Sequence, residues 1–441
     1  MSFRHTGLAA AAIASCLLIT ACGEKALLPE SASYGANPTL PAPQKSLLPT
    51  MHIAPAKGWR DGAMPQSVSG TSVARFADGL QHPRWLYVLP NGDVLVAESD
   101  TPKKDEKEKH GLKAWASGLV MKRAGSGEPS ADRITLLRDT NGDGVADTRT
   151  VFLKNLKSPY GMVLVGNELF VANADALVRF PYEAGATAIS AAPAKVLDLP
   201  AGINHHWTKN VIASADGAKL YVSVGSNSNV GENGLDKEEG RAAIWEIDRR
   251  SGSHRIFASG LRNPNGMGWE PTTKALWTVV NERDEIGSDL VPDYLTSVKD
   301  GAFYGWPFSY WGQHVDERAQ PQNPDLVAKA VKPDFALGTH VAPLGMTFAE
   351  GNRLPAQFAS GAFIGEHGSW NRKPRSGYKV VFVPFTNGQP SGNPVDVLTG
   401  FVDGDGNASG RPVGVVIDKA GALLVADDVG GTVWRVAGAK R

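Results

Sequence analysis

The stretch HHWTKNVIASADGAKLYVSVGS, residues 205–226, decides the fold. It reads as a polar loop, a short apolar strand, an Asp-Gly turn and a second strand that runs out into small polar residues. The pattern recurs at HPRWLYVLPNGDVLVAES (82–99), SPYGMVLVGNELFVAN (158–173), NPNGMGWEPTTKALWTVVN (263–281), APLGMTFAEGNRLPAQFASGAFIGEHG (342–368) and RPVGVVIDKAGALLVADD (411–428). Further strands fill the gaps, such as AAIWEID (242–248), YKVVFVPF (378–385) and TVWRVA (432–437). Six hairpin units, each too small to stand alone, predict an all-β fold, a six-bladed β-propeller of antiparallel four-stranded blades, over residues 71–441, with seven blades as the other count. Loops entering the innermost strands of a propeller gather at one end of the channel, so polar groups distant in sequence meet there.

The rest of the composition fits one large globular domain. The chain has 441 residues, with 45 Lys+Arg against 45 Asp+Glu. That balance argues against a broad electrostatic hold on nucleic acid, which would show as a basic excess. Gly (49) and Pro (29) are abundant, as many turns and few long helices require.

The N-terminus reads as an address. Arg4 and His5 precede the apolar run GLAAAAIASCLLITAC (7–22), too short to span a membrane as a mature helix. LITAC (18–22) resembles a bacterial lipoprotein signal, with residues 1–21 removed and lipid on the Cys22 thiol; an ordinary secretory signal is the other reading. Gly23 rather than Asp follows, which by the same resemblance favours the periplasmic face of the outer membrane. Cys16 and Cys22 are the only cysteines, so the mature domain has no disulfide and no thiol nucleophile. Residues 22–70 are rich in Pro, Ala and Ser and read as a disordered tether.

The loops of the predicted mouth carry the chemistry. His205 and His206 open the third unit, and Arg262 and Asn263 the fourth. Glu282, Arg283 and Asp284 follow its second strand. His340 opens the fifth unit, which continues into His367, Trp370, Arg372 and Lys373, and Arg411 opens the sixth. Several guanidiniums together suit a polyanionic ligand, because each pairs with carboxylate through two N–H groups. An acidic loop among them suits a cation, and a histidine supplies a base near neutral pH.

The motifs HWTKN, LRNPNGM, NERDEIGSDLVPDYL, FYGWP, HVAPLGM and EHGSWNR, in this order, resemble the pyrroloquinoline quinone (PQQ) dependent soluble aldose and glucose dehydrogenases, with the closest likeness to L-sorbosone dehydrogenases. The likeness covers roughly residues 70–437. It implies PQQ and Ca²⁺ at the mouth and oxidation of a sugar or aldehyde by hydride transfer to the quinone. By that resemblance His206 is the base, with His205 beside it as the alternative. Arg262, Asn263, His340, Arg372 and Arg411 fall at cofactor-binding positions, and Arg283 and Asp284, with Glu282, at the calcium. Calcium acts there as a Lewis acid. Electrons then pass to a periplasmic acceptor whose nature the sequence does not reveal.

Three stretches stand outside this set. Asp139, Asn141 and Asp143 in DTNGDGVAD (139–147) match the opening of a calcium loop, although Thr150 stands at the twelfth position; a plain Asp/Gly turn is the other reading. VDGDGN (402–407) reads as a turn, and TPKKDEKEKHG (101–111) as a solvated surface loop. Two rival functions remain open at this point: a calcium-dependent propeller hydrolase of the lactonase type, and a non-enzymatic propeller that binds a ligand.

Overall fold

A computed structural model describes residues 24–44, 50–102, 123–125 and 129–439. The signal segment, Cys22 and most of the charged run 101–111 lie outside the described residues. Among the described residues almost every element is a β-strand; six antiparallel sheets form the blades of a propeller, and a separate hairpin pairs Ser309–Tyr310 with His314–Val315. Blade 1 begins with Pro83–Val88 and Val94–Glu98, blade 2 with Met162–Val165 and Glu168–Ala172, and blade 3 with Val211–Ala213 and Lys219–Val224. Blade 4 begins with Asn263–Trp269 and Leu276–Asn281, blade 5 with Pro343–Phe348 and Gly361–Glu366, and blade 6 with Pro412–Ile417 and Leu423–Asp427.

Blade 6 takes its fourth strand, Thr71–Ala77, from the other end of the chain, where it pairs with Thr432–Gly438. That pairing closes the ring. The apolar core is divided accordingly into six clusters, one between each pair of neighbouring blades.

The first strands of neighbouring blades pack backbone to backbone around the channel. Four of them open with Pro-x-Gly, at 159–161, 264–266, 343–345 and 412–414. A Cβ on Gly345 would lie 2.1 Å from the Val413 carbonyl of blade 6, and one on Gly414 2.8 Å from the Arg84 carbonyl of blade 1. Only glycine allows that approach. In blades 4, 5 and 6 the register shifts within this motif. Such bulges re-aim the side chains that precede them.

Residues 24–44 and 50–70 differ from the expectation of a disordered tether. They form a strap across blades 4, 5 and 6. Tyr34–Gly35 extends blade 4 by pairing with Phe335–Thr339, and Gln66–Ser67 extends blade 5 by pairing with Val395–Thr399. Trp59 packs edge-on against Trp434 and Phe401 and donates its indole N–H to Asp427 at 2.6 Å. A few apolar anchors and edge pairings suffice to order a segment whose average composition is that of a coil, and they also cover two exposed sheet edges.

Candidate functional site at the propeller mouth

Successive strands of a blade are antiparallel, so the entry to each first strand and the exit from each second strand share one end of the channel. His206, Arg262, Asn263, His340 and Arg411 lie at entries; Glu282, Arg283, Asp284 and Arg372 lie at exits. All nine therefore gather at one mouth. Asp139, Asn141 and Asp143 do not: they join the third and fourth strands of blade 1, at the opposite end. Their side chains are turned onto their own loop, with Asp139 accepting from the Gly142 and Gly144 amides and Asp143 from that of Val145.

His206 is half-buried, whereas His205 is exposed. The Nδ1 of His206 lies 3.0 Å from the Ser226 carbonyl and 2.9 Å from its hydroxyl, which itself donates to the Ser228 carbonyl. Both partners accept, so Nδ1 carries the hydrogen and Nε2 the lone pair. No described residue bonds Nε2. Burial, then the charges of Arg262 and His205, hold the imidazole well below its usual pKa, so it is neutral at pH 7. Gly225 separates it from Asn263: a Cβ there would lie 2.5 Å from both His206 Cβ and Asn263 Oδ1. That Oδ1 is buried and has no donor.

Beneath the two histidines lies Lys209, wholly buried. Its ammonium position is bonded to Asn204 Oδ1 at 3.1 Å and the Trp207 carbonyl at 3.3 Å. Burial and nearby Arg241 push its pKa well down. Arg241 donates to the same Asn204 oxygen at 3.1 Å. This bracket holds the turn before His205, where Asn204 adopts a left-handed φ of 47°. The motif HWTKN contains Lys209, but only burial reveals its task.

Arg262 is buried and fully used. Its five N–H groups reach the carbonyls of Asn229, Asn281 and Glu282, the Asn229 amide oxygen and Asp284 Oδ2. It has none left for an anion and instead fixes the wall of the mouth. Asp284 also meets His340 Nδ1 at 3.4 Å and the Asn371 amide at 2.8 Å. Burial raises its pKa, but Arg262 and His340 prevail and bring it down to about 2. His340 is correspondingly raised: burial disfavours its charge, but Asp284 wins, and its Nε2 donates to the Gly287 carbonyl at 3.0 Å. Both ring nitrogens are thus committed within the protein. The Asp284 carbonyl accepts from Asn229 and twice from the Arg283 guanidinium, whose other arm pairs with Asp316 at 2.7 Å. Of the two backbone carbonyls expected to bind calcium, that of Asp284 is therefore already engaged by cationic and amide N–H groups. Neighbouring Glu282 keeps one buried oxygen, Oε1, without a partner, and burial pushes its carboxyl up to about 7.

Arg372 ties two loops together, donating to the Ser288 and Pro374 carbonyls at 3.0 Å each. Arg411 is less committed. It donates to the Ala54 carbonyl of the strap at 3.2 Å and lies 5.0 Å over the Tyr378 ring, while its buried Nε has no acceptor. A group that sequence reading passed over lies nearby. Arg84 pairs with Asp428, which also accepts from His367 Nε2 at 2.9 Å. Arg84 Nε and Asp428 Oδ1 are buried without partners. Arg84 enters the first strand of blade 1 in HPRW, and that place in the repeat is the signal that marks it.

Fold and mouth together define a six-bladed propeller with a polar site on its axis. The chain belongs to the family described as TrAA12-like, which matches residues 130–295 and 309–439. Among curated relatives, a PQQ-dependent pyranose dehydrogenase of Coprinopsis cinerea is 30% identical over 301 residues, 54% of this chain and 40% of the relative. An aldose sugar dehydrogenase of Escherichia coli is 32% identical over 136 residues, 30% of this chain and 32% of the relative. The chain thus matches well under two thirds of the length of either. Among solved structures, the holo PQQ domain of the Coprinopsis cinerea pyranose dehydrogenase superposes with a TM-score of 0.67 at 22% identity, over 87% of this chain and all of that one. A calcium structure of a Trichoderma reesei protein of carbohydrate-active enzyme family AA12 gives 0.68 at 18%, over 88% of this chain and 99% of that one. At these identities the structural likeness establishes the fold.

Proposed function

We propose that this chain is a PQQ-dependent dehydrogenase that oxidises the hydroxyl of an aldose or a related sugar aldehyde, sorbosone included. One observation carries the reading: a neutral, oriented His206 whose Nε2 has no partner, set beside the orphaned Asn263 Oδ1 at the mouth. The names of the relatives supply the cofactor class.

PQQ is a tricarboxylate quinone, so it needs donors that are free. Arg411 and Arg84 each retain a buried Nε–H without an acceptor, and these two fit the role of carboxylate contacts, whereas the orphaned Oδ1 of Asn263 is an acceptor and suits an N–H or O–H of cofactor or substrate. Arg262, His340 and Arg372 serve instead as the frame that positions them. When bound, PQQ supplies the two-electron acceptor. His206 Nε2 takes the proton of the sugar hydroxyl, and Ser226 holds the ring by Nδ1 so that the resulting imidazolium stays in place. A calcium structure of the Trichoderma reesei relative keeps that ion within the proposal. Of the carbonyls expected to bind it, that of Asp284 is engaged, and Glu282 Oε1 is the unpartnered side-chain oxygen a cation would find. The proposal also takes Cys22 to be the lipidated residue of an outer-membrane lipoprotein with a periplasmic electron acceptor.

The test is reconstitution with PQQ and Ca²⁺, followed by dye reduction with a panel of aldoses. His206→Ala should lower turnover by about 10²–10⁴-fold while PQQ absorbance still reports binding. His205→Ala should be mild. The reverse order would displace His206 as the base. Lactone hydrolysis without PQQ would select the hydrolase instead.

A further inference from the structure

The strap begins at the rim of the mouth. Glu24 accepts the Ser288 amide at 2.6 Å through its carboxylate, and the Leu27 and Leu28 amides donate to Asp289 Oδ2 at 2.6 and 3.1 Å. Beyond the rim, Glu30 accepts the Tyr34 hydroxyl at 2.7 Å and lies 3.6 Å from Lys379 Nζ. Tyr34–Gly35 then joins the edge of blade 4, and a Cβ on Gly338 would lie 3.1 Å from the Tyr34 ring. The Glu30–Lys379 pair thus ties to blade 5 a segment that otherwise rides on blade 4.

Beside that pair lies a carboxyl that the proposed chemistry does not use. Glu366 ends the second strand of blade 5 and stands directly opposite Lys379 in the sheet, so the two side chains leave the same face. Glu366 is 1% exposed, and both of its oxygens are buried without a hydrogen-bond partner. Lys379 is engaged elsewhere: its Nζ lies 3.0 Å from Asp396 Oδ1, on the fourth strand of blade 5, as well as near Glu30. Asp293 of blade 4 adds its field to those of Glu30 and Asp396. A charge on Glu366 would be enclosed, unsolvated and surrounded by acids, which is costly. Burial, opposed by Lys379 but reinforced by Glu30, Asp396 and Asp293, accordingly holds its pKa well above the carboxylate range. Tyr34, pushed up by burial and by Glu30, stays a phenol and a donor.

We propose that Glu366 is a proton-operated latch for the strap. With its proton, the strap stays seated across blades 4 and 5. Without it, the carboxylate draws Lys379 away from Glu30, and the segment from the rim to Tyr34 loosens. Lys379 needs no backbone movement for this, because directly opposed Cβ atoms lie about 4.5–5.5 Å apart. The seated state holds a proton that a hydrated Glu366 releases near its ordinary value of about 4.3. Seating is therefore strongest below about pH 4 and is lost progressively as pH rises toward the raised value of the seated state. The latch does not rest on the dehydrogenase reading.

Hydrogen–deuterium exchange of the full chain, read by mass spectrometry from about pH 5 to 9, tests it. Exchange of residues 27–35, corrected for intrinsic rates, is divided by that of the closing strand Thr71–Ala77 in the same sample. In the wild-type chain the ratio should rise with pH by up to about tenfold per unit, the limit for release of one proton. Glu366→Gln, which mimics the protonated acid, should hold the ratio flat, and Glu366→Met should do the same if the buried amide impairs folding. A flat ratio in the wild-type chain, or an equal rise in a folded variant, overturns the latch. Neither PQQ nor turnover enters the measurement, so failure of dye reduction would count against the dehydrogenase alone.

Discussion

Gly225→Ala is a one-carbon change aimed at the gap between the proposed base and its neighbour. The added Cβ would lie 2.5 Å from His206 Cβ and 2.5 Å from Asn263 Oδ1. Comfortable carbon contacts fall at roughly 3.5–4.0 Å, so each contact must lengthen by about 1 Å. The loop cannot simply back away. The Gly225 carbonyl receives Arg241 at 3.4 Å, and the next amide, of Ser226, donates to the Arg262 carbonyl at 2.8 Å. His206 is the part that moves, because its ring is hydrogen-bonded only to Ser226 and otherwise packs edge-on against the exposed His205 ring. A displacement of about 1 Å at a reacting group costs on the order of 10²-fold in rate, and overpacking of this kind about 1–3 kcal/mol in stability. We expect turnover in the PQQ-reconstituted dye assay to fall by about that factor, with a modest loss in urea denaturation. Gly404→Ala, where no atom lies within 4 Å of the new Cβ, serves as the control and should be neutral. A folded Gly225→Ala protein with undiminished turnover would refute the placement of the base beside Asn263.

Asp284→Asn leaves the buried Arg262 without its carboxylate and should cost about 3–5 kcal/mol in urea denaturation. The native Asp284 carboxyl is held at about 2, below its unfolded value near 4. Its contribution is therefore present above about pH 4 and lost as pH falls through 2, a loss absent in the Asn variant. Glu282 has the opposite sign. Its native pKa of about 7 exceeds the unfolded value, so the folded state holds a proton that the unfolded state has released, and stability falls as pH rises from about 4 to 7. Glu282→Gln should flatten that slope, by up to about 3 kcal/mol across the window, as read from denaturation curves at several pH values. Trp59→Phe keeps the ring packing but removes a donor from the buried Asp427; a loss of about 1–3 kcal/mol is expected by thermal or urea unfolding. A neutral result would show that the strap does not hold blade 6.

The propeller was legible because its hairpins repeat and their strands alternate toward known faces. The convergence of His206, Asn263 and Arg411 followed from that repeat, since each opens a unit. The role of Arg262 was not legible. An Arg-Asn pair before proline looks the same whether the guanidinium faces a ligand or is consumed by Asn229, Glu282 and Asp284, and its acceptors are brought to it only by the fold. The strap was misread for a related reason. Coil-like composition describes an average, whereas Tyr34, Trp59 and the Gln66–Ser67 pairing are single points of attachment. The Pro-x-Gly repeat was present in the sequence, yet its meaning, close passage of one inner strand against the next, depends on a neighbour 70 or so residues away. Arg84 escaped notice because blade 1 replaces that glycine with Trp85.

The strap also determines how the molecule would respond to mechanical load. A pull applied ahead of Glu24 meets the Ser288 and Asp289 contacts first, then the Tyr34–Gly35 pairing, then Trp59, then Gln66–Ser67, and only last the closing strand Thr71–Ala77. These attachments act in series, so tension would strip them one after another before the ring opened. Tension on the strap would thus be dissipated in short, re-formable clasps, and the closing pair of blade 6 would be spared.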